Sequence, residues 1–312
     1  MNKTVGVFLG TAVVLLLVVP VLIAQLRPEE SREWEGARLA EMTYEEVQFY
    51  NEAQQLQLAG MLFVPEGSGP YPAVVFVHGS APSFRENRWI LTITRHLVDN
   101  GVLVLVPDKR GADGSEGDWK TSSFADLGTD TVAAVHYLNS RADLPISRVG
   151  VIGSSQGGHI SPLIASQSDA VEFVINLSGT AVPIREQLLY EENHNLRQMG
   201  FLPGISDLLA YPAAWSIREV RQKTLWDAIG DFDPLPYWQE IQVPALVLYG
   251  VDDTNIPAVK SEALLQSLNR SNIIVKLYSG SGHGLETLVG QGNGMIRQEA
   301  LDDILNFVLA VQ

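Results

Sequence analysis

The segment Arg148–His159, RVGVIGSSQGGH, carries the residue types that acyl transfer needs. A β-branched run of Val149, Val151 and Ile152 gives way at once to Gly153-Ser154-Ser155-Gln156-Gly157-Gly158, and an apolar helical pattern follows. Only one register satisfies G-x-S-x-G, with Gly153 and Gly157 flanking Ser155. A strand-to-helix elbow demands that spacing, because side chains two positions either side of the nucleophile would collide in so tight a turn. The following helix aims its amides and positive dipole end at a reacting oxygen.

A serine hydroxyl is too weak an acid to attack a carbonyl unaided. It needs a base within hydrogen-bond reach, and the base needs a carboxylate to fix its tautomer. Of six histidines, His283 is the candidate base: it lies in Ser279-Gly280-Ser281-Gly282-His283-Gly284, a small-residue loop directly after the last expected strand. His96 and His136 fall inside helical patterns, His194 in an inserted segment, and His159 one turn past Ser155, all positions that favour packing roles. For the carboxylate, Asp252 and Asp253 compete in Gly250-Val251-Asp252-Asp253-Thr254-Asn255-Ile256-Pro257. Asp253 is favoured, since the Thr-Asn-Ile-Pro turn after it can hold its side chain inward. Asp231 and Asp233 precede that strand and read as turn residues. An oxyanion needs two backbone donors; the N–H of Gln156 is one, and that of Ser80 (less favourably Ala81), in His78-Gly79-Ser80-Ala81-Pro82, is the other. His78 then shapes the loop. The chemistry requires no metal and no cofactor.

The elements that must position these groups alternate between strand and helix patterns. Glu45–Tyr50 and Leu56–Val64 alternate as a half-exposed antiparallel hairpin does, while Ala73–Val77 and Val102–Val106 are apolar runs typical of strands covered on both faces. Helix patterns run from Trp89 to Leu97 and from Asp126 to Ser140; Val171–Leu177, Val243–Tyr249 and Ile273–Tyr278 read as further strands. Ala258–Leu268 and Arg297–Val311 read as helices. The pattern predicts an α/β fold: a mostly parallel central sheet with helices on both faces. Residues 182–242 exceed a simple crossover and carry Tyr190, Phe201, Tyr211, Trp215, Trp226 and Trp238, which predicts a helical cap inserted over the site and an apolar acyl or aryl group beneath it.

The 312 residues suffice for a full core, and 46% hydrophobic with 18% charged residues describes a folded chain. A net charge of −15 argues against a nucleic-acid partner. The absence of cysteine excludes disulfides and thiol chemistry. Thr4–Leu26 is uncharged and about long enough to span a bilayer, which predicts an N-terminal membrane anchor or signal segment over residues 1–26, with the body exported. Residues 27–43, charged and polar at first, read as a linker, and residues 44–312 as the catalytic domain.

Serine, aspartate and histidine in that order, each after a strand, resemble the α/β-hydrolase superfamily from about Glu45 onward. Within it the chain is similar to the dienelactone-hydrolase and prolyl-oligopeptidase-like esterase branch, on the strings His78-Gly79-Ser80, Pro107-Asp108-Lys109-Arg110-Gly111-Ala112-Asp113-Gly114-Ser115, Gly153–Gly158, Gly250-Val251-Asp252-Asp253 and Gly282-His283-Gly284. The resemblance implies that Ser155 is the nucleophile, Asp253 the orienting acid and His283 the general base, and that Asp108 and Arg110 brace their loop. Asp113 departs from that loop's usual side chains. The expected function is carboxylic-ester hydrolysis of a small-molecule substrate through an acyl-enzyme. The alternatives are a small serine exopeptidase (lacking room for that branch's large propeller), a thioesterase or acyltransferase, and a catalytically inactive, membrane-tethered binding module.

Overall fold

The computed structural model describes residues 18–27, 34–287 and 294–311. An antiparallel hairpin of β1 (Glu45–Asn51) and β2 (Leu56–Phe63) begins the sheet; β1 alternates in burial as expected, whereas β2, paired on both sides, is buried from Leu58 onward. The remaining strands are β3 (Tyr71–Val77), β4 (Leu103–Pro107), β5 (Ile146–Ser154), β6 (Val174–Leu177), β7 (Ala245–Gly250) and β8 (Ile273–Tyr278). β2 pairs antiparallel with β4, and every pairing beyond β4 is parallel, in the order β1-β2-β4-β3-β5-β6-β7-β8. β4 and β7 are apolar because helices cover both faces; the edge strand β8 alternates.

Helix α1 (Arg88–Val98) packs on one face, and α2 (Phe124–Ser140) and α3 (Gln156–Gln167) on the other. Between β6 and β7 come α4 (Ile184–Gln198), α5 (Pro203–Ser216), a π-helical turn at Ile217–Arg221, α6 (Lys223–Ile229) and α7 (Leu235–Glu240). α8 (Ala258–Ser267) joins the α2–α3 face and α9 (Gln298–Ala310) the α1 face. From β3 the chain moves outward to β4 and then back past β3 to β5. The crevice at the carboxyl ends of β3 and β5 is therefore the topological switch point, where α/β sheets place their sites.

Register brings those ends level. Val77 pairs with Gly153, Ser154 with Leu177, Leu177 with Leu248, and Gly250 with Tyr278. The loops after β3, β5, β7 and β8 thus emerge along one edge.

Two N-terminal stretches pack against the rest of the fold. Residues 1–17 lie outside the described residues; residues 18–26 are helical and rest on the inserted helices. Ala24 is buried against Leu188, Ala213, Ala214 and Ile217, and Arg221 Nη1 donates to its carbonyl at 2.7 Å. Among the described residues no helix is long and apolar enough to cross a membrane. In the stretch read as a linker, Trp34 stands against the Trp89 ring (6.1 Å between centroids) and Ala37 is buried in the core, because the apolar residues there outweigh the charged ones around them.

Candidate active site

Ser155 follows β5 with φ +51° and ψ −112°, a backbone conformation costly for any residue but glycine. Close packing enforces it. A Cβ on Gly153 would lie 2.2 Å from the Gly157 carbonyl oxygen, and one on Gly157 only 2.0 Å from that of Val77. The Ser155 amide donates to Leu177 O at 2.8 Å, while its carbonyl accepts from the Gly158 and His159 amides and starts α3. Gly79, leaving β3, lies against the serine: a Cβ there would be 3.5 Å from that of Ser155. The amides of Ser80 and Gln156 have no acceptor among the described residues.

At the other end of the edge, His283 Nδ1 is 2.7 Å from Asp253 Oδ2. Asp253 is fully buried, and its Oδ1 accepts from the amides of Asn255 (2.7 Å) and Ile256 (3.1 Å), the turn that the Thr-Asn-Ile-Pro string suggests. A carboxylate only accepts, so Nδ1 carries the proton and the neutral ring keeps its lone pair on Nε2. Asp252 instead accepts from the Gly280 amide at 2.9 Å. Of the two competing aspartates, Asp253 is therefore the one that meets the imidazole. The two loops interlock: a Cβ on Gly250 would sit 2.2 Å from Gly282 O. Trp89 Nε1 donates to Gly284 O at 2.8 Å, and the Gly284 amide donates to Glu286 Oε2 at 2.9 Å. Trp34 fills the space where a Gly284 side chain would be.

Burial alone would lower the basicity of His283, but the charge and hydrogen bond of Asp253 overcome it and hold its pKa above the ordinary imidazole value. His78 behaves oppositely: burial pulls its pKa down to about 4, and its Nε2 is 2.6 Å from Pro107 O, a contact that ties β3's exit to β4's. His159 stacks on Phe124, and burial together with the charge of His283 lowers its pKa to about 3. Arg85 forks onto Asp108 (3.0 and 2.8 Å) and Arg110 onto Asp130 (2.7 and 2.8 Å), so Asp108 and Arg110 brace the β4 loop. Asp113 stands in that loop at φ +46°.

The inserted helices touch the site sparingly. Tyr190 Oη donates to Asp253 O at 2.9 Å, and Glu191 Oε1 lies 3.5 Å from Asn255 Nδ2. Burial and the charge of Glu192 push the Glu191 carboxyl up to about 7. Of the aromatics expected to line the cap, Tyr190 reaches the site, through its hydroxyl. Tyr211 (65% exposed) and Trp215 (54%) face outward, and Trp238 is buried in the main core. Residue type marks an amphipathic helix without revealing which face looks at the site. A cavity of about 620 Å³ lined by residues such as Phe49, Val132 and Leu163 shares none of the candidate residues. Among the described residues, no group of three or more His, Asp or Glu side chains could hold a metal ion. Sequence reasoning missed Lys109, Trp34 and Glu191, of which only Lys109 lay inside a motif string, and named Tyr190 only as an aromatic of the inserted segment.

Over 274 residues the chain is 26% identical to the esterase EstD of Thermotoga maritima, covering 81% of this chain and 65% of that protein. It is 25% identical over 250 residues to the human acylamino-acid-releasing enzyme, covering 75% of this chain and 32% of that protein. It thus spans slightly less than two thirds of EstD and about a third of the human enzyme. The structure of the Pyrococcus furiosus esterase Pf2001 superposes with a TM-score of 0.63 at 17% identity, over 91% of this chain and 98% of that one, which shows the α/β-hydrolase fold. The model of the prolyl oligopeptidase family matches residues 88–311, well over half of the sequence, and the chain belongs to that family of serine hydrolases.

Proposed function

We propose that the protein is a serine carboxylic-ester hydrolase working through an acyl-enzyme. The observation that carries the reading is the strained, glycine-framed Ser155 on the same sheet edge as a buried Asp253 bonded to the partly exposed His283. Ser155 Oγ attacks the acyl carbonyl while His283 Nε2 takes its proton, and Asp253 stabilises the imidazolium that forms. The Ser80 and Gln156 amides hold the oxyanion. His283 returns the proton to the leaving alcohol, and water repeats the cycle to free the acid. The named esterases among the relatives favour an ester over an amide.

A second reading, a small serine peptidase, is favoured by the relation to an acylamino-acid-releasing enzyme. The uncharged run Thr4–Leu26 supports a protein exported and held at a membrane by that segment; fractionation of cells expressing the full chain tests this. For the activity, p-nitrophenyl esters of graded acyl length are assayed beside N-acylated amino-acid amides, with Ser155→Ala as control. Ester cleavage that vanishes in the variant supports the proposal. Cleavage of the amides alone transfers it to the peptidase.

A further inference from the structure

Lys109 follows the end of β4, and it is only 7% exposed. Among the described residues no carboxylate pairs with it. Its neighbour Asp108 is taken by the Arg85 fork and by the Gly114 amide at 3.1 Å. Lys109 Nζ instead donates to Gly79 O at 2.5 Å, to Gln156 Oε1 at 2.8 Å and to Ala81 O at 3.3 Å, and it lies 4.1 Å from the centre of the Trp119 ring. Burying an ammonium without a counter-ion is unfavourable, and it draws the Lys109 pKa down to about 7. A methionine would fill the same space at no such cost. The charge therefore serves something other than packing.

Its partners say what. Gly79 and Ala81 leave β3, Gln156 follows β5, and Lys109 follows β4, so one cation joins three neighbouring strand ends. In a trans peptide the carbonyl of one residue and the N–H of the next point in opposite directions. Pinning Gly79 O on Lys109 thereby fixes the direction of the Ser80 N–H. The pull of the ammonium on that carbonyl also polarises the peptide and strengthens the N–H as a donor. The bond to Oε1 holds the side chain of Gln156, whose own backbone N–H is the second candidate donor.

We infer that Lys109 is a positioning residue that clamps the Ser80 and Gln156 amides into one oxyanion-binding pair. This rests on the serine-hydrolase reading. The full chain, Lys109→Met, Gln156→Met and the double variant are compared in kcat and KM on a p-nitrophenyl ester. The rate at which a fluorophosphonate labels Ser155 is measured alongside, a reaction that needs no knowledge of the natural substrate. Lys109→Met is expected to lower kcat and labelling by about 10–100-fold with KM within about threefold. The double variant is then no worse than Lys109→Met, because the Gln156 limb is already lost. Should Lys109→Met not fold, Gln156→Met still tests the clamp, with kcat about 3–10-fold lower at unchanged KM. Wild-type kcat and labelling in the folded Lys109→Met variant, or in Gln156→Met where the first cannot be made, overturn the clamp alone. A folded wild-type protein that takes no label at Ser155 overturns the clamp and the hydrolase reading together.

Discussion

On the sheet side of the candidate site, Asp253, His283 and Lys109 are held by hydrogen bonds and the backbone is held by packing. Asp253 receives His283 and two amides, Gly157 has no room for a methyl group beside Val77, and Lys109 joins three strand ends. On the side of the inserted helices, Tyr190 and Glu191 reach the Asp253 loop, while α5 turns Leu208, Tyr211 and Trp215 to solvent. The first region is built to hold atoms in one geometry, whereas, among the described residues, the second touches the site only through Tyr190 and Glu191. Chemistry and its tuning are therefore expected to separate cleanly between the two.

The largest effects should come from the sheet side. Ser155→Ala is expected to cut kcat about 10⁴-fold or more with Tm unchanged, because alanine meets the same backbone strain as serine. Ser155→Gly should be equally inactive yet melt at a higher temperature, since glycine accepts φ +51° freely; an unchanged or lower Tm would contradict the strain at the elbow. Asp253→Asn follows, with kcat down by about 10³–10⁴-fold and little change in KM, because the wrong imidazole tautomer is favoured. Retained activity there would mean that another carboxylate orients His283.

Glu191→Gln probes the inserted-helix side through pH. The base must be neutral, so the acid limb of kcat/KM should lie above the ordinary imidazole pKa, where Asp253 holds His283. Glu191 adds negative charge that also raises it, so its removal should move the limb to lower pH by a few tenths of a unit. A limb that stays put, or moves upward, would place Glu191 outside the field of the site. The smallest effects belong to the outer face of the cap: Tyr211→Ser and Trp215→Ser should leave kcat/KM within about twofold. A large loss in either would show that this face takes part in substrate capture.

Much of the sheet side was legible in the sequence because its constraints are local. The elbow depends on residues two apart, and the Asp253 turn on the four that follow it. Lys109 was not legible, since its acceptors come from β3 and β5, which only the strand order brings beside β4. Strand ends were blurred for a similar reason. The apolar run from Val171 predicts a strand at once, whereas Phe173 fills the space beside Gly150 and the strand itself begins at Val174. In the inserted segment the helical pattern was visible. Which faces α4 and α5 present was not, because Ala24 and its neighbours in residues 18–26 cover part of them from far away in sequence.

The central claim is that Ser155 forms a covalent acyl-enzyme. Rapid mixing with excess p-nitrophenyl ester, followed by acid quench and peptide mass measurement, tests it directly. A burst of p-nitrophenol near one equivalent and an acyl mass increment on Ser155 are expected. A peptide acylated at Ser154, or turnover with no acylated peptide under any quench, would contradict it.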